Sequence, residues 1–170
     1  DKYFGYLIIP FTSEGKLVYF NARKFMGDGP RYNNPSTDVT GIGKSMIWYN
    51  RDALYMYKTV YICEGAINAS TVGIRAIASG GKYVSRYQIN DLIKSPVERV
   101  IILLDPDAKC KALDLALTLV DFKKVKVIYL PDGKDCNDLG LRKTMRLVYN
   151  TRYQDRRTLM KMKLELWELR

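Results

Sequence analysis

Four short apolar runs punctuate the middle of the chain, and each stops abruptly at polar or turn-forming residues. Residues 60–63 (Val-Tyr-Ile-Cys) end at Glu64-Gly65, and residues 76–78 (Ala-Ile-Ala) at Ser79-Gly80-Gly81. Residues 100–104 (Val-Ile-Ile-Leu-Leu) end at Asp105-Pro106-Asp107, and residues 125–130 (Val-Lys-Val-Ile-Tyr-Leu) at Pro131-Asp132-Gly133. Runs of this length, rich in β-branched residues, are what strands buried on both faces of a sheet look like. Between them lie stretches with helical spacing. Residues 66–72 are small-residue-rich, residues 85–93 open on a serine, and residues 108–120 carry Ala112, Leu113, Ala116, Leu117 and Val120 on one stripe. Strand and helix alternating through short connections predict βαβ units and a parallel four-stranded sheet with flanking helices.

The ends differ from the middle. Residues 6–11 and 17–20, joined through Ser13-Glu14-Gly15-Lys16, read as a hairpin, and residues 26–43 as an irregular Gly/Pro/Asn-rich segment. From about Gly140 the pattern turns helical, with Leu141, Met145, Val148 and Tyr149 on one face and Asn137 or Asp138 as the cap. A second amphipathic run covers 159–169. The predicted division is a small β-rich subdomain over 1–57, an α/β unit over 58–139 and a helical segment over 140–170. The class is α/β in its centre and α+β overall.

Composition narrows the chemistry. A chain of 170 residues, 47% hydrophobic and 27% charged, is long enough for a folded core. It has no run of about 18 apolar residues, so no membrane partner is expected. Its first residue, Asp1, suggests a piece cut from a longer protein. There is no histidine, which excludes His-based triads, His-containing zinc sites and imidazole proton shuttles. Cys63, Cys110 and Cys136 are too few for an all-cysteine zinc site, and their odd, unpatterned count suggests a reducing, cytoplasmic setting. The net charge of +10 points to an anionic partner, with nucleic acid first. That charge is uneven, at +3 over residues 1–59, +1 over 60–139 and +6 over 140–170.

Ligands of open α/β sheets sit beyond the carboxyl ends of the strands. Glu64, Asp105 and Asp107 fall there, and on adjacent strands their carboxylates would converge. Such a cluster needs a cation, and hard oxygen donors suit Mg2+ or Mn2+. The plainer alternative is that acidic residues simply end strands. Asp135 and Asp138 divide between additional metal ligands and loop or cap residues. Asp91, Glu98, Asp114 and Asp121 read as solvated. Gly41-Ile42-Gly43-Lys44-Ser45 is not a P-loop, because Asp38 stands where the first glycine would be. Lys44 remains a candidate phosphate contact by another route.

The run Glu64-Gly65-Ala66-Ile67-Asn68 and the Asp105-Pro106-Asp107 pair, 41 residues on, resemble a Toprim domain. This is the Mg2+-binding fold of bacterial-type primases, type IA and II topoisomerases and several nucleases. Ile9-Pro10-Phe11, Phe20-Asn21-Ala22-Arg23, Arg31-Tyr32-Asn33-Asn34-Pro35 and Lys44-Ser45 followed by Trp48-Tyr49 are similar, in order, to the primase sequence before its Toprim unit. Ala78-Ser79-Gly80-Gly81 and Leu130-Pro131-Asp132-Gly133-Lys134-Asp135 fit primase too. The resemblance spans about residues 6–140. It implies the catalytic core of a bacterial- or phage-type primase, a DNA-dependent RNA polymerase starting primers on single-stranded DNA.

In that resemblance Glu64, Asp105 and Asp107 hold two or more Mg2+ or Mn2+ ions with the nucleotide, and Asp135 is a further candidate. Arg23, Arg31, Tyr32, Asn34 and Lys44 line the ribonucleoside triphosphate and template side, with Asn68 a further candidate there. A replicative helicase is the implied partner, through regions outside this chain. Asn68 stands where the family usually has Asp, Pro106 where Gly is usual, and Asn137 where a second loop acid is usual. No zinc-binding module accompanies these motifs. The alternatives are a Toprim nuclease or RNA-processing enzyme, and a basic nucleic-acid-binding module with a decayed site.

Overall fold

The computed structural model describes residues 2–168. The hairpin forms as the alternation predicts, with β1 (Tyr6–Ser13) antiparallel to β2 (Lys16–Lys24). Its two turn residues, Glu14 and Gly15, both have positive φ (53° and 71°), the conformation that a tight two-residue hairpin turn requires. Asp52 fixes this turn by accepting from Glu14 N (2.7 Å) and Gly15 N (3.3 Å). Phe11 and Tyr19 of the hairpin pack with Ile47 and Ala66 in a small core of their own. Two one-turn helices, α1 (Thr37–Thr40) and α2 (Ala53–Met56), lie along the connection to the sheet.

The sheet contains β3 (Thr59–Cys63), β4 (Ala76–Ala78), β5 (Arg99–Leu103) and β6 (Lys124–Val127), all parallel, in the order β4-β3-β5-β6. Tyr49 adds a single antiparallel rung to the outer edge of β4, with Tyr49 N donating to Ala78 O at 3.0 Å. The helices are α3 (Ala66–Val72), α4 (Arg86–Lys94), α5 (Lys109–Leu119), α6 (Cys136–Asn150) and α7 (Arg156–Glu168). Strand residues alternate between two cores. Val60, Ile62, Val100, Ile102 and Val125 pack with Leu92, Leu113 and Leu159 from the α4, α5 and α7 side. Cys63, Ile101 and Leu103 pack with Ala69, Val72 and Val148 from the α3 and α6 side. This is the α/β arrangement the sequence predicts, with helices on both faces of a four-stranded parallel sheet.

Three boundaries differ from expectation. The sixth strand ends at Val127, not residue 130, because beyond it only Ile128 N reaches the neighbouring strand, at Ile102 O (3.0 Å). The edge there is closed by Gln154, whose N donates to Val125 O while its Oε1 accepts from Val127 N. Helix α6 starts at Cys136, four residues before the apolar period shows. Gly140 (φ 73°, ψ 164°) breaks the helix and rotates the first turn out of phase with the rest. Its cap is Asp135 and not Asn137 or Asp138. Asp135 Oδ1 accepts from Asp138 N, and Asp138 Oδ2 accepts from Asp135 N in return. The last helix begins at Arg156, earlier than the apolar pattern, and Leu169 of the predicted run lies outside the described residues.

The acids read as solvated are paired. Asp91 takes a two-pronged bond from Arg51 (2.7 and 2.8 Å), and Glu98 meets Lys58 at 3.2 Å. Asp114 meets Lys163 and Asp121 meets Arg156, both at 2.5 Å. The last two tie α7 to α5 and to the turn that follows it. Cys63 and Cys136 are buried and unbridged. Among the described residues no helix is long and apolar enough to cross a membrane.

Candidate active site

The hairpin leans over the carboxyl ends of β3 and β5, and a two-lobed cleft opens between them. One lobe, about 210 Å³, is lined by Asn21, Arg23, Arg31, Tyr32, Glu64, Asn68, Asp105, Asp135, Asn137 and Asp138 among others. The other, about 190 Å³, is lined by Asn34, Lys44, Gly80 and Gly81. Asn21, Arg31, Tyr32, Glu64 and Gly65 form the wall common to both. One lobe is acidic at its floor, the other has a lysine and no acid but Glu64. Glu64 stands at the junction.

Local structure explains these placements. Glu64 directly follows Cys63 and Asp105 stands two residues past Leu103, the paired last residues of neighbouring strands. The loop after β4 is held against Glu64 by Gly80 N donating to Glu64 O at 2.9 Å. Arg23 and Tyr32 are cross-strand partners, because the chain after the irregular segment returns beside the hairpin. Lys24 N donates to Arg31 O (3.0 Å) and Asn33 N to Ala22 O (2.9 Å). Asn34 spends its carboxamide oxygen on Ala22 N (3.1 Å), so part of its role is to fix this return. The Arg31 guanidinium lies 5.8 Å from the centre of the Tyr32 ring.

The carboxylates are coupled. Burial, and then the charge of Asp105, raise the pKa of Glu64. Burial, and then Asp135 and Asp107, raise that of Asp105, while Lys82 opposes the rise. Asp107 behaves oppositely. Its exposed carboxylate is ion-paired with Lys82, which holds its pKa below the ordinary value. The predicted convergence is therefore partial. Glu64 and Asp105 share the acidic lobe, whereas Asp107 lines an adjoining cavity with Asp105, Asp135 and Asp138. Among the described residues no three acids or cysteines stand close enough to form a metal-ligating set, and the Asp107 carboxylate is paired with Lys82.

Asn68 is buried and bridges. Its Nδ2 donates to Asp105 Oδ1 (3.3 Å), and its Oδ1 accepts from Asn137 N in the first turn of α6 (3.2 Å). Thr71 completes the link by donating to Asn137 Oδ1 at 2.9 Å. An amide thus occupies the space beside Asp105 where a second carboxylate would repel it.

Two residues of the cleft escaped the sequence reading. Among the described residues the buried side-chain atoms without a hydrogen-bond partner are Glu64 Oε2 and Asn21 Oδ1, and both residues line this cleft. Buried polar atoms are nearly always paired, and leaving one unmet costs about 1–3 kcal/mol. Two such atoms in one cleft mark a place that is completed by something bound. The period-2 alternation Tyr19, Asn21, Arg23 already puts Asn21 on the inward face of β2, and that was the available signal. Lys82 is the second, beside the cleft through its ion pair with Asp107, on a loop with no pattern to betray it.

No protein-family model matches the chain. A DNA primase of Synechococcus elongatus is 28% identical over 155 residues, 81% of this chain and 22% of that protein. The primase of Aquifex aeolicus, solved as its zinc-binding and RNA polymerase domains, superposes with a TM-score of 0.71 over 88% of this chain and 41% of that one, at 24% identity. The chain has the fold of the bacterial primase catalytic core. A DnaG primase catalytic domain bound to single-stranded DNA superposes equally well, with a TM-score of 0.70 over 91% of this chain and 55% of the other, at 23% identity. The primase-core fold thus accounts for nearly all of the chain, while the chain spans about a fifth of the curated relative's length.

Proposed function

We propose that this chain is the catalytic core of a DNA-dependent RNA polymerase that makes short RNA primers on single-stranded DNA by divalent-cation-dependent nucleotidyl transfer. The observation that carries this reading is the two-lobed cleft, with the carboxylates and Arg23 on one side of Glu64, Lys44 on the other and Arg31 common to both, set in the primase-core fold. Nucleotidyl transfer needs those two environments side by side. A triphosphate must be held by cations while charge at the reacting phosphorus is neutralised.

The residues fit a hard cation. Glu64 offers a buried oxygen with no donor, and Asp105 is the second carboxylate of the same lobe. In this reading Glu64, Asp105 and, once Lys82 releases it, Asp107 hold Mg2+ or Mn2+, and Asp135 stays mainly a helix cap. Bound there, the metal supplies charge neutralisation and lowers the cost of deprotonating the attacking hydroxyl. The chain's own groups do the rest. Arg23, Arg31 and Lys44 grip phosphate oxygens, Tyr32 offers an exposed ring against which a base stacks, and Asn34 fixes the hairpin return that carries Arg31 and Tyr32. Asn68 keeps Asp105 oriented and tied to α6.

The 1–57, 58–139 and 140–170 division belongs to this proposal, as do a cytoplasmic site of action and a replicative helicase reached through segments outside this chain. The test is incubation with single-stranded DNA, ribonucleoside triphosphates and Mg2+ or Mn2+, with short RNA as the expected product. Asp105→Ala should abolish it. No RNA from the wild-type chain, cleavage of the nucleic acid without incorporation, or full synthesis by Asp105→Ala would overturn the reading.

A further inference from the structure

Helix α6 leads directly out of the acidic lobe, since its first turn carries Asn137 and Asp138 on the cleft wall. Beyond the Gly140 kink its inward positions are Thr144, Val148 and the half-buried Met145 and Leu147. The opposite face presents Arg142, Lys143, Arg146, Tyr149 and Asn150, all exposed. Residues 139–154 contain four basic residues and no acidic one. Among the described residues none of Arg142, Lys143, Arg146 or Arg152 takes part in an ion pair, whereas three of the four basic residues of α7, at 156, 161 and 163, do.

Aromatic rings are interleaved with these cations. Tyr149 is 88% exposed, and Tyr153, on the segment after the helix, has Lys126 Nζ 4.7 Å from its ring centre. A stripe of unpaired cations with exposed aromatics fits a phosphate backbone whose bases can stack. Cations four residues apart on a helix are about 6 Å from one another, close enough for successive contacts along a single strand.

We infer that the outward face of α6, from Arg142 through Arg146 to Tyr149, together with Arg152 just beyond its end, is a track that carries single-stranded nucleic acid to or from the cleft. This rests on the polymerase reading for its direction, but the contact itself is a binding property and is measured separately.

The experiment uses the intact chain and a fluorescent oligothymidylate followed by anisotropy over a range of KCl. The triple variant R142Q/K143Q/R146Q replaces three exposed cations by residues of comparable helix propensity. Its affinity at moderate salt is expected to fall at least tenfold. The magnitude of its log K against log salt slope should fall by about 2, as three lost phosphate contacts on a single strand require. A second measurement needs no variant. Bound oligothymidylate should shield Lys143 from amine acylation while Lys161, paired with Glu165 on α7, reacts as before.

Unchanged affinity and slope, or equal acylation of Lys143 with and without the oligonucleotide, would overturn the track. So would polyglutamate of matched charge competing as well as the oligonucleotide, because the face would then serve polyanions at large. If the triple variant loses DNA binding while the wild-type chain makes no RNA, the track stands and the polymerase reading fails. If RNA synthesis proceeds and binding is unaltered in the variant, the reverse holds.

Discussion

Glu64 is the residue on which stability and function pull apart. Its Oε2 is buried without a donor, and burial together with Asp105 raises its pKa. An acid with a raised folded pKa binds more protons folded than unfolded, so stability falls as pH rises from the unfolded pKa through the folded one. The same sign applies to Asp105. Without divalent cation the protein should therefore be more stable just below the ordinary carboxylate range than just above it, as far as these two groups decide. Glu64→Gln keeps the shape and removes the charge. It should raise the cation-free melting temperature at neutral pH by about 2–4 °C, the equivalent of roughly 1 kcal/mol in a chain of this size. RNA synthesis should be lost at the same time. Thermal unfolding of both proteins in chelator decides it, and an unchanged or lower melting point for Glu64→Gln would show that the buried charge costs nothing.

At the scale of elements, Gln88 joins the loops that border the cleft. It sits at the third position of α4, where its Oε1 accepts from Ser85 N while Ser85 Oγ accepts from Gln88 N, a reciprocal cap. Its buried Nε2 also donates to Ile47 O (2.9 Å) and Ser79 O (3.0 Å), and its carbonyl takes the Trp48 indole N–H. The first carbonyl belongs to the N-terminal connection and the second to the loop after β4. Gln88→Ala strands both carbonyls, and at about 1–3 kcal/mol each the loss should be roughly 2–4 kcal/mol in urea unfolding with an unchanged m-value. A loss under about 0.5 kcal/mol would mean that water replaces the side chain.

The sequence shows the serine start of this helix but not the two distant carbonyls, because such bonds depend on a fold rather than a spacing. The same distinction runs through the molecule. Strands and buried helices were legible since one period governs each, and Glu64 and Asp105 were legible since strand ends collect ligands. Asp135 as the cap of α6 was hidden by the Gly140 kink, and the pairing of Asp107 with Lys82, 25 residues away, follows no spacing.

For the whole molecule, the nearly neutral sheet region lies between a hairpin subdomain at +3 and a helical segment at +6, and the acids of the cleft crowd one another, with Lys82 the cation that opposes the rise of both Glu64 and Asp105. Lys82 and Asp107 are both exposed, and an ion pair screened by solvent is weak, so the lysine yields readily to a stronger cation. A divalent ion that binds only the folded site stabilises by about 2.7 kcal/mol at a hundredfold excess over its dissociation constant. In a chain of 170 residues that amounts to about 5–10 °C in melting temperature. Saturating Mn2+ should produce such a rise at neutral pH. The rise should shrink as pH falls through the raised carboxylate pKa values, because protons then compete for Glu64 and Asp105. Asp105→Ala should abolish it, while Lys82→Ala should leave it intact and bring the Mn2+ midpoint to a concentration a few-fold lower. Differential scanning calorimetry across a Mn2+ titration measures all three proteins under one protocol. A rise of the same size in Asp105→Ala would locate the ion elsewhere on the molecule. A Lys82→Ala midpoint at or above that of the wild type would mean that the lysine does not contend for the acids of the cleft.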